Sequence, residues 1–194
     1  MPEAQTAAEV ARVVSDTLEC HGLSYAIGGA IALGFYAPPR ATIDVDVNVF
    51  VDPSTRLEQA LSALREAGFA PDEPFDAVAA QAKSEGQFRG RVAGLRVDVF
   101  VPAIPYYAEL EARRKQVVLL RRPLWILSAE DLVVLKLMFF RRKDVADAEA
   151  VLREQGAALD RRFIRAKLVE LAGVADERVA AWDRLDGEIP AGLS

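Results

Sequence analysis

Two aspartates separated by one residue are the first feature of this sequence that could do chemistry. Asp44 and Asp46 lie in the segment 42–51, where polar and apolar residues alternate. Alternation with a period of two is typical of a β-strand, and it puts both carboxylates on one face of that strand. Like charges placed side by side repel each other unless a cation lies between them. The pair therefore favours a divalent metal site.

A third aspartate is predicted on a neighbouring strand. Residues 87–92 and 95–101 are typical of two strands, and Ala93-Gly94 between them suits the turn of a hairpin. In the second of these strands Asp98 shares one face with Arg96. We expect that face to present the third carboxylate.

Three carboxylates match the ligand preference of magnesium. Mg²⁺ binds hard oxygen ligands in octahedral geometry and commonly takes one or two protein carboxylates, while water and phosphate oxygens complete its shell. Two ions held by Asp44, Asp46 and Asp98 would activate an attacking hydroxyl and neutralise a triphosphate leaving group, which is phosphoryl or nucleotidyl transfer. The alternatives are that Asp44 and Asp46 form the solvated face of an edge strand, and that Asp98 is a surface aspartate.

A Gly-Gly pair precedes the first acidic strand. Gly28 and Gly29 lie between the apolar run 23–27 and the segment 30–36, which is the pattern of strand, turn and short helix. Glycine lets the backbone approach a phosphate, and a helix N-terminus offers free N–H donors. The pair is expected to bind the nucleotide's phosphates, and the alternative is a plain turn.

Composition limits the classes of function. The chain has 194 residues, of which 52% are hydrophobic and 27% charged, and its net charge is -5. One packed domain, or one domain with a helical extension, fits these values. The acidic balance is unlike that of a dedicated nucleic-acid coat, so a polynucleotide would have to bind a local patch. One Cys and one His exclude an internal disulfide and a His-rich metal site.

No stretch reaches the roughly 18 to 20 consecutive apolar residues that span a bilayer. The first residues carry acids rather than a basic segment. We expect a cytoplasmic protein with no membrane partner.

Four further residues are interpreted as structural, since none falls in a motif: Cys20, His21, Trp125 and Trp182.

The remaining pattern predicts an α/β half followed by helices. Residues 75–83 are ambiguous, and 116–127 are expected to contain strand. Apolar spacing and capping residues predict helices at 7–19, 54–67 with Ser54 or Thr55 as the cap, 106–114, 128–141 with a capping signal at Ser128, 143–155, 160–172 and 176–185. We expect an α/β core over residues 1–127 and a helical region over 128–194, packed on the core.

The acidic strand and the glycine pair together resemble the signature of the DNA polymerase β nucleotidyltransferase superfamily. The run IGGAIALGFYAPPRATIDVDVNV, residues 27–49, has its Gly-Gly turn followed by a strand with Asp-x-Asp. Arg40, Thr42, Asp44 and Asp46 look like the Arg-x-Thr-x-Asp-x-Asp form of the AbiEii-type toxin branch. The resemblance implies that Arg40 and Thr42 belong to the nucleotide-binding residues.

Two later segments extend the resemblance. RVDVFVP is similar to the strand that brings the superfamily's third carboxylate, so Asp98 would bind metal and activate the acceptor hydroxyl. The segment 128–152 looks like the AbiEii-type pattern of a helix with a Lys, followed by Arg/Lys-Asp-x-x-Asp. By this resemblance Lys136 meets the nucleotide's phosphates and counts among the catalytic residues, and Asp144 or Asp147 orients it or supports the site.

Lys136 also has a structural interpretation. It lies in the apolar run 132–140, where a buried ammonium needs an anionic partner. The alternative is that it reaches the surface or pairs with Asp147. Three basic clusters are either solvated faces or binding sites for a phosphate-rich acceptor: 113–115, 121–122 and 141–143.

The resemblance covers residues 23–152 and implies an α/β (α+β) fold, a small mixed β-sheet flanked by helices with a helical C-terminal part. It implies a magnesium-dependent nucleotidyltransferase that moves a nucleoside monophosphate from an NTP, such as ATP, to a hydroxyl of a tRNA, a protein or a small molecule. A toxin with an antitoxin partner is the first interpretation, although the acidic net charge disfavours tRNA. Two alternatives stay open: a catalytically inactive nucleotide- or partner-binding protein that retains the fold, and a structural domain with surface acids.

Overall fold

The structure is a computed structural model, and it describes residues 5–189. Within that range the chain forms two compact units. The first runs up to Ile31 and resumes over Arg40–Leu127, and the second comprises Ala32–Pro39 and the residues from Ser128 onward. No helix in residues 5–189 combines the length and the apolar character that crossing a bilayer requires.

The first unit contains all the strands of residues 5–189, and these form one mixed sheet. They are β1 (Tyr25–Ile27), β2 (Asp44–Val49), β3 (Ala70–Pro71), β4 (Gln87–Val92), β5 (Leu95–Phe100), β6 (Lys115–Leu119) and β7 (Arg122–Ile126). Their order across the sheet is β3-β4-β5-β2-β1-β7-β6. Strand β2 is therefore an interior strand, antiparallel to β1 and parallel to β5. This excludes the edge-strand interpretation of its aspartates.

The helices of residues 5–189 follow a simple division. Helices α1 (Ala7–Cys20), α3 (Leu57–Glu66), α4 (Phe75–Glu85) and α5 (Tyr106–Arg113) belong to the first unit, and α6 (Ala129–Phe139), α7 (Arg142–Gln155), α8 (Arg161–Ala172) and α9 (Glu177–Glu188) to the second. The short α2 (Gly29–Leu33) follows β1. The expected fold class, a mixed sheet with flanking helices and a helical C-terminal part, is confirmed.

Alternation along β2 separates a core face from a polar face, as the sequence predicts. Val45, Val47 and Val49 are fully buried, and α1 contacts the strand. Asp44 and Asp46 are only partly exposed on the opposite face. The valines provide the apolar burial that holds the strand in the sheet, so the aspartates are presented on a fixed backbone.

Two predicted details are wrong or incomplete. Helix α3 begins after Arg56, which makes no side-chain cap hydrogen bond, and so neither Ser54 nor Thr55 caps it. The reason is a turn: Asp52 accepts a hydrogen bond from the Ser54 N–H at 2.7 Å, and its carbonyl accepts from Thr55. The segment expected to contain strand holds a complete β6–β7 hairpin, and the ambiguous segment forms α4.

The helical unit is built around α6. Its residues Leu132, Val133, Val134 and Leu137 are all buried, and α6 contacts α7, α8 and α9. A helix that is apolar on most sides is expected at the centre of a helical core. Trp182 of α9 is fully buried in the same unit.

Ser128 begins α6 as the sequence predicts, and its removal is testable. The buried Ser128 Oγ accepts a hydrogen bond from the Asp131 N–H at 3.1 Å and donates one to Asp131 Oδ2 at 2.6 Å. We expect Ser128→Ala to lower the free energy of unfolding by about 1 to 2 kcal/mol, because a buried donor loses its acceptor. Urea unfolding followed by circular dichroism measures this. Thr6→Ala, at the exposed cap of α1, is the control and should cost less; equal losses would contradict the assignment.

Candidate active site

The aspartates predicted from the sequence come together on one face of the sheet. Strands β2 and β5 are parallel, and their register places Asp46 beside Asp98 and Asp44 beside Arg96. Residues opposite each other on adjacent strands point to the same face, so the three carboxylates share it. The Asp98 side chain is only 13% exposed. Partial burial strengthens electrostatic interactions there relative to open solvent.

Two arginines contact two of these carboxylates, Asp44 and Asp98. Arg96 Nη2 donates a hydrogen bond to Asp44 Oδ2 at 2.7 Å, and Arg96 Nε lies 3.2 Å from Asp98 Oδ2. Arg89 of β4 lies opposite Asp98 in the register, and its Nε donates to Asp98 Oδ1 at 2.5 Å. The hydrogen bond and the charge of Asp98 raise the pKa of Arg89. Arg89 therefore donates a hydrogen bond to one oxygen of Asp98, whereas Arg96 forms an ion pair with the other oxygen without a hydrogen bond from Nε.

Neither arginine is among the site residues predicted from the sequence, although local sequence predicts part of their placement. A two-residue turn at Ala93-Gly94 pairs Val92 with Leu95, and counting back along the hairpin pairs Arg89 with Asp98. Both turn residues have positive φ, 50° at Ala93 and 84° at Gly94, as a tight hairpin turn requires. The β2–β5 register that brings Arg96 to Asp44 joins distant segments, and local pattern does not specify it.

The donor set suits a hard divalent cation, although its present arrangement is not that of a metal site. Across residues 5–189 no group of three or more acidic, His or Cys side chains is arranged to hold a metal ion. At the sheet face this agrees with the arginine contacts, because guanidinium groups take the oxygens that a cation would use. The chemistry of the donors still fits magnesium, since all three side chains are carboxylates on two adjacent strands.

The Gly-Gly pair lies directly against the acidic strand. The Gly28 N–H donates a hydrogen bond to the Asp46 carbonyl at 2.9 Å. Gly29 has φ of +55°, and a Cβ at this position would overlap Asp46 Oδ2 and lie 2.7 Å from Asp46 Cγ. Only glycine lets the backbone pass so close to this carboxylate. Whether the pair binds phosphates stays a prediction.

Thr42 fixes the start of β2. Its Oγ1 donates a hydrogen bond to the Asp44 carbonyl at 3.1 Å and accepts one from the Asp44 N–H at 3.2 Å. The hydroxyl thus positions the backbone of Asp44. Arg40 lies in the exposed segment before it. The expected contact of both residues with a nucleotide stays a prediction.

The basic and acidic residues predicted in the helical unit form a buried cluster. Lys136 Nζ lies 3.1 Å from Asp144 Oδ1 and 2.8 Å from Asp147 Oδ2, and the lysine side chain is 9% exposed. Arg141 Nε donates to Asp144 Oδ2 at 2.5 Å. Lys136 pairs with Asp147, as its structural interpretation predicts, and it also pairs with Asp144. A role of this cluster at a nucleotide stays a prediction.

Asp144 is ionised in spite of its burial. Burial alone raises the pKa of this carboxyl, but the hydrogen bonds from Arg141 and Lys136, together with their charges, outweigh burial and hold the pKa below its ordinary value. A buried charge of this kind is tolerated only with partners in good geometry.

The residues interpreted as structural have differing surroundings. Trp182 is fully buried, and the guanidinium of Arg114 lies 4.5 Å from the centre of the Trp125 ring. His21 Nε2 lies 2.9 Å from Glu66 Oε2. Cys20 is exposed, so its side chain packs in no core.

Replacing Gly29 tests the close approach to Asp46. Gly29→Ala adds the strain of positive φ and a clash with a carboxylate, whereas Gly22→Ala adds strain alone, because φ there is +62° and no atom lies within 4 Å. We expect Gly22→Ala to cost about 1 kcal/mol of unfolding free energy, and Gly29→Ala at least about 1 kcal/mol more. Urea unfolding of both variants provides the comparison, and equal losses would show that Asp46 does not lie against Gly29.

Asp144→Asn tests the buried cluster. The substitution leaves the Lys136 ammonium with one carboxylate fewer, so we expect a loss of about 3 kcal/mol in unfolding free energy. Because the pKa of Asp144 in the folded protein lies below its ordinary value of 3.8, its contribution is complete above that pH and is lost as the pH falls further. The difference between wild type and variant should therefore shrink only in that acid range.

The control for this experiment is Glu149→Gln on the same helix. Glu149 forms an exposed pair with Arg153 at 2.6 Å, and exposed pairs contribute little. Unfolding measured across the acid and neutral range compares the two variants. If Asp144→Asn costs no more than Glu149→Gln, the buried cluster does not stabilise the helical unit.

Comparison with solved structures identifies the fold. The antibiotic-resistance factor ANT(2'')-Ia matches with a TM-score of 0.59 and 15% identity, over 93% of this chain and 97% of that chain. It has also been solved in complex with adenylyl-2''-tobramycin. An antigenic nucleotidyltransferase-like protein from Paracoccidioides brasiliensis gives a TM-score of 0.54 and 19% identity, over 90% of this chain and 92% of that one.

A further match is the lincosamide antibiotic adenylyltransferase LnuA with bound lincomycin, with a TM-score of 0.52 and 12% identity over 74% of this chain and 94% of that one. No protein-family model matches the sequence, and a comparison with curated proteins finds no match. At these identities the likeness shows the fold, and the fold is that of nucleotidyltransferases.

Proposed function

We propose that this chain is a divalent-metal-dependent nucleotidyltransferase, which moves a nucleoside monophosphate from an NTP to a hydroxyl group of an acceptor. The observation that carries the proposal is the register of β2 and β5, which places Asp98 directly beside Asp46 and on the face of Asp44. Three carboxylates at this position of a nucleotidyltransferase fold are more than a structural domain needs, because Asp is a poor strand former.

The reaction assigns a distinct task to each part of the site. The acceptor oxygen attacks the α-phosphorus, a new P–O bond forms, the bond to the β-phosphate oxygen breaks, and pyrophosphate leaves. Asp44, Asp46 and Asp98 would hold magnesium, which supplies charge neutralisation for the triphosphate. Asp98 takes up the proton of the acceptor hydroxyl, and the backbone at Gly28-Gly29 approaches the phosphates.

Each of these tasks requires the carboxylates to be accessible. In this structure Arg89 Nε donates a hydrogen bond to Asp98 Oδ1, and Arg96 Nε lies 3.2 Å from Oδ2. We infer that activity requires the arginines to move away from Asp98, so that the metal ion and the acceptor hydroxyl can reach its oxygens.

A small molecule is the acceptor that we favour. ANT(2'')-Ia has been solved in complex with adenylyl-2''-tobramycin, and LnuA has been solved with bound lincomycin. ATP is accordingly the preferred donor. The acidic net charge of -5 disfavours tRNA, which would require a local basic patch. No specific observation favours the toxin interpretation, an antitoxin partner or the AbiEii-type branch over this one.

A catalytically inactive nucleotide-binding protein is the second candidate. The contacts of Arg89 and Arg96 with the carboxylates favour it, because guanidinium groups that stayed in place would exclude a metal ion. This candidate predicts nucleotide binding without transfer and without dependence on magnesium.

Transfer of a labelled nucleotide tests the proposal. The protein is incubated with each α-³²P-labelled NTP, magnesium and, in turn, an aminoglycoside, a lincosamide, total RNA or cell lysate. We expect label on a small-molecule acceptor, and a rate at least about 100-fold lower for Asp46→Asn and Asp98→Asn, because each loses a carboxylate that holds the metal.

The matched control is Asp72→Asn. Asp72 is an exposed aspartate whose contact with Arg91 is 3.9 Å long, and it lies outside the carboxylate set. This variant should transfer label at the wild-type rate. Transfer that Asp46→Asn leaves unchanged would contradict the proposed site, and nucleotide binding without transfer to any acceptor would favour the inactive protein.

A further inference from the structure

Six side-chain positions form a small array on the polar face of the sheet. Along one row the register aligns Arg89, Asp98 and Asp46, and along the next it aligns Arg91, Arg96 and Asp44. Positions two apart on each strand lie on the same face, so the two rows are neighbours. Positive charges thus lie on the β4 side of the array and negative charges on the β2 side. Arg96 of β5 lies next to Asp44 of β2 and to Asp98 of its own strand.

The Arg96 side chain contacts an aspartate on each of the two acidic strands, β2 and β5. It reaches Asp44 on β2 at 2.7 Å and Asp98 on its own strand at 3.2 Å. A planar guanidinium with several donors can serve two carboxylates at once, which a lysine ammonium on a flexible stem does less well. Arg89 occupies the remaining oxygen of Asp98.

The two guanidinium groups supply positive charge to the carboxylates of Asp44 and Asp98, as a divalent cation would. Without a positive charge between them, Asp44, Asp46 and Asp98 would repel one another, and partial burial would strengthen the repulsion. A metal ion that binds Asp98 must approach an oxygen that now lies beside a guanidinium. Oδ1 accepts a hydrogen bond from Arg89, and Oδ2 is in ion-pair contact with Arg96 at 3.2 Å. Metal binding therefore competes with the arginine contact at that oxygen, because the cation and the guanidinium repel each other.

Both arginine side chains are partly exposed, so they can move away from Asp98 into solvent. The side chain of Arg96 is 37% exposed and that of Arg89 is 55% exposed, whereas the Asp98 side chain is 13% exposed. A released guanidinium can turn into water without being buried unpaired, and so its departure carries no large desolvation cost. Asp98 remains in place on the backbone of β5.

We propose that Arg96, assisted by Arg89, is an exchangeable clamp that holds Asp44 and Asp98 in the metal-free protein and is displaced when a divalent cation binds. The proposal rests on the proposed function, because it takes the carboxylates to be a metal site. It assigns to Arg96 a positioning role: the residue keeps the acids together before the metal arrives and lowers the apparent affinity for the metal.

Manganese binding tests the clamp directly, since Mn²⁺ prefers the same oxygen ligands as Mg²⁺ and free Mn²⁺ is measured by electron paramagnetic resonance. Arg96→Gln removes the clamp. Arg91→Gln is the matched control, because it removes the same charge from the same array, while Arg91 pairs with Asp72 at 3.9 Å rather than with the clamped acids. We expect Arg96→Gln to bind Mn²⁺ about fivefold or more tightly than Arg91→Gln, because the metal no longer displaces a guanidinium.

Thermal unfolding gives a second readout. The clamp stabilises only the metal-free protein, so Arg96→Gln should lower the Tm in EDTA and should lower it less, or not at all, at saturating Mn²⁺. Arg96→Lys keeps the charge but not the fork that contacts two carboxylates, and should fall between wild type and Arg96→Gln in Mn²⁺ affinity. If Arg96→Gln does not fold, the Mn²⁺ affinity of Arg96→Lys is compared with that of the wild type instead.

The outcomes separate this proposal from the proposed function. If Asp46→Asn abolishes Mn²⁺ binding but Arg96→Gln binds no more tightly than Arg91→Gln, the metal site stands and the clamp is wrong. If neither the wild type nor any arginine variant binds Mn²⁺, or if Asp46→Asn binds it as the wild type does, the metal site is wrong and the clamp falls with it. Tighter binding by Arg96→Gln that depends on Asp46 supports both.

Discussion

The mutual repulsion of three carboxylates on one face of the sheet is the constraint on which the rest of the site depends. Asp46 and Asp98 are paired in the register of two parallel strands, and Asp44 lies on the same face. Such a set needs positive charge. In this structure Arg89 and Arg96 supply it to Asp44 and Asp98, and in the proposed reaction a divalent cation supplies it. The proposed exchange of arginine for metal would link the stability of the fold to its function.

The fold meets this constraint by fixing the backbone beneath the acids. Fully buried valines hold β2 between β1 and β5, so that the aspartates cannot separate without loss of the core. Gly29 passes against the Asp46 carboxylate where any side chain would clash, and the Thr42 hydroxyl holds the backbone of Asp44. The adjustable parts are the partly exposed arginine side chains.

Local pattern was enough to predict the strand of Asp44 and Asp46, the hairpin of Asp98 and the cap of α6. The β6–β7 hairpin was missed because its turn residues, Leu120 and Arg121, have positive φ without the Gly or Asn that usually marks such turns. The contact of Arg96 with Asp44 was missed because it requires the register of two strands that are distant in sequence. The pairing of β2 with β5 is set by tertiary packing, which no local window contains.

The most direct measurement of the central claim is nuclear magnetic resonance of the labelled protein during titration with a small amount of Mn²⁺, which broadens the signals of nearby amides. The account predicts that the amides of Asp44, Asp46, Asp98 and Gly29 broaden first. Broadening of other acidic surface positions, while these four signals stay sharp, would contradict it.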